Sequence, residues 1–289
     1  MAYNLIEATD QHMVRPKVHL PRNKYFYPSE SSVRWIDSNN IPRVSGSCLR
    51  ASYYRVTGER GLPTDPYSEW IFRLGKKVEE ILVEEWKQMG IWVTNNAKFY
   101  DQDHRVSGEI DVVLVEPDTN TLFGVECKSF YGYYATKEIC GSRNQAPRPK
   151  TAHLLQTLIY TDLCKRHGIL DYFKLIYYAR DSAKRSEFNI DIIEDNGLKR
   201  PTINGVMDYR FTVDEIYDRF EELNTYINNN QLPPADFELR WDANKVQTFF
   251  DLGEVSKTAF QDFQKNPEKN PVGDWQCRYC AFKNHCWAK

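Results

Sequence analysis

The sequence predicts a mixed α/β fold in which a central sheet is flanked by helices. Two apolar, β-branched runs, Gly108–Val115 and Leu122–Lys128, are separated by the turn signal Pro117–Asn120, which indicates adjacent strands of a hairpin. Amphipathic helical patterns precede and follow this hairpin. Two further runs, Tyr172–Ala179 and Glu187–Ile193, predict strands around a basic turn.

The helical pattern before the hairpin opens at Thr64-Asp-Pro66, with proline in its first turn. Glu79 lies at the edge of its apolar stripe, where a long acidic side chain ordinarily reaches solvent. The stripe is predicted to be one buried face, and it consists of Trp70, Leu74, Val78, Ile81, Leu82 and Trp86.

Three more helices are predicted. In the first, Thr151–Leu163, Gln156 and Tyr160 lie one turn apart and therefore share a face. A capping box, Thr212-Val-Asp-Glu215, opens another helix, which Asn228–Pro234 ends. A short helix near Cys48 is predicted to have Ser45 as its cap.

The predicted hairpin carries residues suited to metal chemistry. Side chains alternate along a strand, so Glu126 and Lys128 project from one face, with Asp111 on the neighbouring strand. Carboxylate oxygens are hard ligands that suit Mg²⁺, and an ammonium group beside them can orient a water molecule. The alternative is a surface hairpin whose Glu–Lys pair is solvated.

Taken in order, these motifs resemble the PD-(D/E)xK nucleases and, within them, the RecB-like branch. The matching segments are Gly75–Glu79, Gly108–Asp111, Val125–Ser129 and Gln156–Tyr160. The resemblance implies a restriction-endonuclease-like mixed sheet. It also implies a catalytic set made up of Glu79, Asp111, Glu126, Lys128, Gln156 and Tyr160.

In this resemblance, Mg²⁺ or Mn²⁺ would be held by Glu79, Asp111, Glu126 and the backbone carbonyl of Cys127. Glu79 stands where many members of the branch carry a histidine. The implied activity is that of a metal-dependent deoxyribonuclease, an exonuclease acting on single-stranded DNA ends with 5′ to 3′ polarity. The alternative is a catalytically inert iron–sulfur subunit that binds DNA or assembles a DNA-processing complex.

The cysteines predict a second metal centre. Cys277-x-x-Cys280 and Cys286 have metal-ligand spacing, and an odd total of seven cysteines argues against a disulfide framework. Zinc held with His285 is one solution, and a cluster completed by the remote Cys48 is the favoured one. This set resembles the [4Fe-4S] site of CRISPR-associated RecB-type exonucleases and of the AddB nuclease domain. Such a cluster would join the two ends of the chain.

These motifs predict three regions: an extension of unknown role at 1–41, a nuclease core at 42–240 that includes Cys48, and a cysteine-bearing segment at 241–289. The start of the chain lacks the pattern of an export signal, and no apolar run is long enough for a membrane span. A cytoplasmic protein is expected, in the host cytoplasm if the protein is viral. Nothing in the sequence predicts an oligomeric state.

The net charge of −2 excludes a strongly basic DNA-binding protein. The segment Phe130–Tyr134 leads into Arg143, Arg148 and Lys150, and interleaved aromatic and basic residues suit single-stranded DNA. The alternative is a tyrosine-rich core edge followed by a solvated loop. No Walker-type phosphate loop is present, so ATP hydrolysis is not expected. CRISPR adaptation, recombination or repair, and viral DNA processing all remain open as pathways, each with its own protein partners.

Overall fold

The computed structural model describes residues 4–14 and 25–287. They form a mixed α/β fold with a large, mostly antiparallel sheet flanked by helices, which confirms the predicted class. The strands are β1 (Ser32–Ile36), β2 (Pro42–Gly46), β3 (Trp92–Asp101), β4 (Val106–Val115), β5 (Leu122–Phe130), β6 (Tyr172–Ala179), β7 (Arg185–Asp195), β8 (Leu198–Ile203) and β9 (Val206–Met207). The helices are α1 (Leu5–Met13), α2 (Leu49–Thr57), α3 (Pro66–Gln88), α4 (Tyr133–Ile139), α5 (Thr151–Arg166), α6 (Val213–Asn228), α7 (Ala243–Asp251), α8 (Lys257–Lys265), α9 (Trp275–Arg278) and α10 (Lys283–Trp287), with a 3₁₀ turn at Pro28–Glu30.

The large sheet has the strand order β3-β4-β5-β6-β7-β8-β9, and β1 pairs with β2 in a separate hairpin. Neighbouring strands of the large sheet are antiparallel, except that β5 and β6 run parallel. A parallel pair requires a long crossover connection, and α4 and α5 lie in it. The predicted hairpin is confirmed as β4 and β5, with Val112 opposite Val125.

Helix α5 lies at the centre of the larger core. Every residue from Leu154 to Cys164 is buried, and the helix contacts β6, β7 and α6. A helix buried on all sides must find partners for its polar groups inside the protein. Gln156 and Asp162 are such groups, and they belong to two different polar clusters.

Helix α3 covers the other face of the sheet, where Val83 and Trp86 pack against a smaller core in β4 and β5. The predicted buried stripe is wrong in part, because Trp70, Leu74 and Ile81 are 45%, 51% and 60% exposed. Of its apolar residues, Leu82 is buried, and Val83 and Trp86 pack against the sheet. Periodicity shows how apolar residues are spaced but does not show which stripe is covered.

The predicted Ser45 cap is also wrong. Ser45 lies in β2, and its Oγ accepts a hydrogen bond from Trp35 Nε1 at 2.9 Å. Cys48 is the N-cap residue of α2, and the Leu49 N–H donates to Asp236 at 2.6 Å. A distant acid therefore takes the place of a local cap. The capping box of Thr212 and Glu215 at the start of α6 is confirmed.

The predicted extension at 1–41 lies partly outside the described residues, as do the last two residues of the predicted segment 241–289. Within the extension, Phe26 is 1% exposed and stacks on Phe220 with ring centroids 5.4 Å apart. The predicted region boundaries stay predictions. In the described ranges, no helix combines the length and apolar character that crossing a bilayer would require.

Candidate active site

Strands β4 and β5 separate where Asp111 and Glu126 lie. The last paired residues of the β4–β5 ladder are Val112 and Val125, which are the sequence neighbours of the two acids. Strand β5 continues beside β6 as far as Phe130. The Asp111 side chain bridges the start of this opening, because its Oδ2 accepts a hydrogen bond from the Cys127 N–H at 2.8 Å. The structure thus brings both predicted acids to one opening in the sheet.

Glu126 is the most buried acid of this opening, at 1% exposure. Its Oε1 accepts hydrogen bonds from the Lys128 ammonium and from Gln156 Nε2, the latter at 2.7 Å. Its Oε2 is buried and has no hydrogen-bond partner. A buried carboxylate oxygen without a donor is unfavourable, so this atom marks a position where a cation would be stabilised.

Helix α5 fixes the position of the Glu126 side chain. Gln156 uses its amide nitrogen twice, donating to Glu126 and to the Tyr160 hydroxyl at 3.2 Å. Tyr160 in turn donates to the Glu109 carbonyl at 3.2 Å, on β4. The predicted shared face of Gln156 and Tyr160 is confirmed, and it connects α5 to both strands of the opening.

The acids of this site resist ionisation. Burial raises the pKa of Glu126 to about 7; the Lys128 ammonium opposes the shift and the Asp111 carboxylate adds to it. Burial also raises the pKa of Asp111, against the Lys128 charge and the Cys127 N–H. The Lys128 pKa is raised despite its burial, because Glu126 and Asp111 favour the charged ammonium. Strongly shifted pKa values at clustered acids are typical of functional sites.

Glu79 lies on α3 and interacts electrostatically with the same acids. Burial and then the Asp111 charge raise its pKa. Gly75 allows α3 to approach β5, since a Cβ there would lie 3.0 Å from Ser129 Oγ. Nevertheless, within residues 4–14 and 25–287 no three His, Cys, Asp or Glu side chains are spaced to hold one metal ion. Asp111 and Glu126 lie at the same opening, and a divalent cation held by them, with Glu79 and the Cys127 carbonyl as further ligands, stays a prediction.

Four cysteines line one cavity, although one of them is far from the other three in the sequence. Cys48 lies at the start of α2, Cys277 in α9 and Cys286 in α10, with Cys280 between them. The cavity is otherwise mainly apolar, and burial raises the pKa of the Cys277 thiol to about 12. The sulfurs share a cavity but, as noted, are not spaced for a single ion. Whether these cysteines hold a cluster or zinc stays a prediction.

His285, the alternative zinc ligand, does not line this cavity. Its Nε2 donates to the Arg60 carbonyl at 3.0 Å, and its ring packs against Tyr54 at a centroid distance of 5.2 Å. The side chain is therefore already engaged outside the cysteine set.

His153 was not predicted, although the Lys128 charge acts on its ring. The Lys150 N–H donates to the Tyr177 hydroxyl at 3.1 Å, and that hydroxyl is hydrogen-bonded to His153 Nδ1 at 2.9 Å. Burial, the Lys128 charge and the Lys150 charge lower the His153 pKa to about 3, which keeps the ring neutral. Its position one turn before Gln156 on α5 was the available signal.

Comparison with known proteins gives little. No protein-family model matches the chain, and no curated protein matches it. The solved crystal structure of SSO0001 aligns over 99% of this chain and 95% of its own, with 15% identity and a TM-score of 0.42. That likeness is too weak to assign a fold family or a function.

Proposed function

We propose that this chain is a metal-dependent deoxyribonuclease with a restriction-endonuclease-like PD-(D/E)xK core of the RecB-like branch. Its substrate would be single-stranded DNA ends, cleaved exonucleolytically. The observation that carries the proposal is Glu126 Oε2, a buried carboxylate oxygen with no donor, beside Asp111 at the opening between β4 and β5. A solvated surface hairpin would not bury this carboxylate.

Each residue of the site has a role in phosphodiester hydrolysis. Asp111 and Glu126 would hold Mg²⁺ or Mn²⁺, and such an ion supplies Lewis acidity and a more acidic water. Lys128 orients the attacking water and stabilises the negative charge that develops on the phosphoryl oxygens. Gln156 fixes the Glu126 carboxylate, and Tyr160 fixes Gln156. The attacking water releases a proton to solvent as its oxygen bonds to phosphorus, the bond to the leaving oxygen breaks, and the leaving oxygen takes up a proton from solvent.

A single-stranded substrate is supported by tyrosines that follow β5. Tyr133 and Tyr134 are 74% and 85% exposed. The Tyr131 hydroxyl lies 2.8 Å from that of Tyr67, and the Arg180 guanidinium sits 5.1 Å from the Tyr131 ring centroid. Exposed aromatic rings beside a cation can stack unpaired bases and contact phosphates.

The test is digestion of end-labelled single-stranded DNA by anaerobically purified protein with Mg²⁺. Asp111→Asn and Lys128→Ala should each lower the cleavage rate by about 10²–10³-fold or more, since each removes charge from the reaction centre. Asp118→Asn, in the exposed turn of the same hairpin, is the matched control and should cleave normally. Wild-type cleavage that survives in Asp111→Asn would refute the site. Absence of cleavage in the wild type, with DNA binding retained, would favour the inert-subunit alternative.

We further propose that Cys48, Cys277, Cys280 and Cys286 hold a [4Fe-4S] cluster that joins the segment around α2 to the C-terminal segment. The cavity that the four cysteines share, and that His285 does not line, supports a cluster over zinc. Anaerobically purified protein should be brown and contain about four iron atoms per chain. Cys277→Ala should be colourless and less soluble, whereas Cys164→Ala should stay brown. A colourless wild type with one bound zinc would overturn this assignment.

A further inference from the structure

A cavity of about 420 Å³ adjoins the candidate active site on the β3 side. Its walls come from the 3₁₀ turn, from β3 and β4, and from α5. The residues that line it are Tyr27, Pro28, Ser29, Lys98, Tyr100, Ser107, Gly108, Glu109 and Tyr160. Its volume falls within the range of about 300–1,000 Å³ that is common for ligand pockets.

Two residues connect the cavity to the candidate active site. Tyr160 lines the cavity and also accepts the hydrogen bond of Gln156, which holds Glu126. Glu109 lines the cavity two residues before Asp111 on β4. A ligand in the cavity would therefore lie next to whatever is bound at the acids.

Glycine and aromatic packing determine the shape of this cavity. A Cβ at Gly108 would come within 2.5 Å of the Phe99 ring and 3.0 Å of Pro28 Cγ, so only glycine fits between them. Phe99 meets the Tyr160 ring edge-on at 5.4 Å, and Tyr25 meets Tyr100 in the same manner at 6.0 Å. The aromatic walls are thus positioned by other aromatic residues.

The chemistry of the walls matches an unstacked nucleotide. Tyr27 and Tyr100 present aromatic surface, with Tyr100 65% exposed. The exposed Lys98 ammonium has no ion pair among the described residues and can meet a phosphate. The Glu109 carboxylate would repel phosphate but accepts hydrogen bonds from base amino groups. Lys98 lies opposite Glu109 in the β3–β4 pairing, so the phosphate at Lys98 and the base amino group at Glu109 would bind side by side.

We infer that this cavity is a subsite for the nucleotide next to the scissile phosphate, with Tyr100 and Lys98 as its binding residues. The inference rests on the proposed nuclease function for the identity of its ligand. It places one base of a single strand against Tyr100, while Lys98 contacts the adjoining phosphate. A base that stacks on Tyr100 has to leave its own duplex stack, so the subsite would favour single strands.

The test measures binding separately from cleavage. A fluorescein-labelled deoxycytidine tetranucleotide is titrated with protein in EDTA, and its anisotropy gives the Kd. The double variant Lys98→Ala/Tyr100→Ala should raise the Kd about tenfold or more, given the usual strength of base–aromatic stacking. Tyr209→Ala and Lys269→Ala, both at exposed positions away from the cavity, are the matched controls and should bind as the wild type does.

The outcomes separate the two proposals. If the double variant binds the tetranucleotide as tightly as the wild type, the subsite is refuted, whether or not the wild type cleaves DNA. If only the double variant loses binding, the subsite stands. If the wild type then fails to cleave with Mg²⁺, the nuclease proposal fails while the nucleotide subsite remains. Equal weakening in the control variants would show non-specific adhesion and would also refute the subsite.

Discussion

Helix α5 contributes to two clusters of buried acids that differ in how many hydrogen-bond donors reach their carboxylate oxygens. The first is the carboxylate site of Asp111 and Glu126. The second, which we term the ionic network, consists of two acids and the groups that donate to them: Asp101, His104, Asp162, Arg166, Lys199 and Tyr217. Glu126, Asp101 and Asp162 are all nearly inaccessible, at 1%, 4% and 3% exposure. Burial alone therefore does not distinguish them.

Hydrogen bonding does distinguish them. Asp162 accepts from Arg166 at 2.8 Å, from Tyr217 at 3.0 Å and from Lys199 at 2.9 Å. Asp101 accepts from Arg166 at 2.9 Å, from the His104 ring at 2.7 Å and from backbone N–H groups. Both oxygens of each network acid are thus occupied, whereas Glu126 Oε2 has no donor.

The pKa values of Asp101 and Glu126 move in opposite directions. Burial disfavours the charge of Asp101, yet hydrogen bonds from Arg166 and His104 hold its pKa below the usual value. Burial raises the Glu126 pKa to about 7, and Lys128 offsets it only in part. An acid with all its donors stabilises the fold, whereas an acid short of donors is arranged for something that binds.

The largest expected effect is on catalysis at the carboxylate site. Glu126→Gln should lower cleavage by about 10²–10³-fold or more, because it removes a charge from the reaction centre. At about pH 5 in EDTA its free energy of unfolding should differ from that of the wild type by less than about 1 kcal/mol, because glutamine keeps the oxygen that Lys128 and Gln156 contact. Urea unfolding and the cleavage assay on the same preparations check both. A large loss of stability would mean that this site is another structural network.

The ionic network should show the reverse behaviour. Asp162→Asn replaces a carboxylate that three donors contact, and we expect a loss of about 3 kcal/mol in unfolding free energy. Cleavage per folded molecule should not change. Asp218→Asn, at an exposed position on α6, is the matched control. A catalytic defect in folded Asp162→Asn would contradict the division between the clusters.

Sequence patterns identified the carboxylate site but not the ionic network. The Asp111, Glu126 and Lys128 spacing is local to one hairpin, and the Gln156–Tyr160 face is local to one helix, so each follows from strand or helix periodicity. In the network, Arg166 and Asp101 are 65 residues apart and Tyr217 and Asp162 are 55 apart. Such pairs are determined by how the helices pack on the sheet, and no spacing in the sequence encodes that packing.

The same limit explains the errors in the fold. Ser45 has the right chemistry for a helix cap, but the distant Asp236 supplies the acceptor for α2 instead. The orphaned oxygen of Glu126 could not be predicted either, because it depends on which donors fail to reach a buried atom. The Thr212 capping box was predictable because both of its partners lie within one helical turn.

The pH dependence of stability should differ in sign between the clusters. The Glu126 pKa is raised in the folded state. The contribution of Glu126 to the free energy of unfolding is therefore fully present below about pH 4.5 and is lost as the pH rises through about 7. In EDTA, the unfolding free energy of the wild type should fall by on the order of 1–2 kcal/mol, relative to that of Glu126→Gln, between about pH 5 and 7. The Asp101 pKa is lowered, so its contribution is present above about pH 3.8 and is lost as the pH falls further.

Urea unfolding of the wild type, Glu126→Gln and Asp101→Asn across this pH range measures how each acid changes the pH dependence of the unfolding free energy. The difference in unfolding free energy between the wild type and Asp101→Asn should decrease only below about pH 3.8. Added Mg²⁺ should remove the loss near neutral pH, because a bound cation would replace the proton on Glu126. If Glu126→Gln follows the wild-type pH profile throughout, the Glu126 carboxylate does not have the raised pKa on which the distinction between the clusters depends.

The smallest expected effect comes from the tyrosine in each cluster. Tyr217 donates to Asp162, and Tyr160 donates to the Glu109 carbonyl while accepting from Gln156. Phenylalanine at either position should lower the unfolding free energy by about 1 kcal/mol, since each loses a buried hydroxyl and its hydrogen bonds. Only Tyr160→Phe should also slow cleavage, because Gln156 then loses one of the contacts that orient it toward Glu126. Equal cleavage by both variants would show that the carboxylate site tolerates a loosened Gln156, and the role of Tyr160 would then be confined to packing.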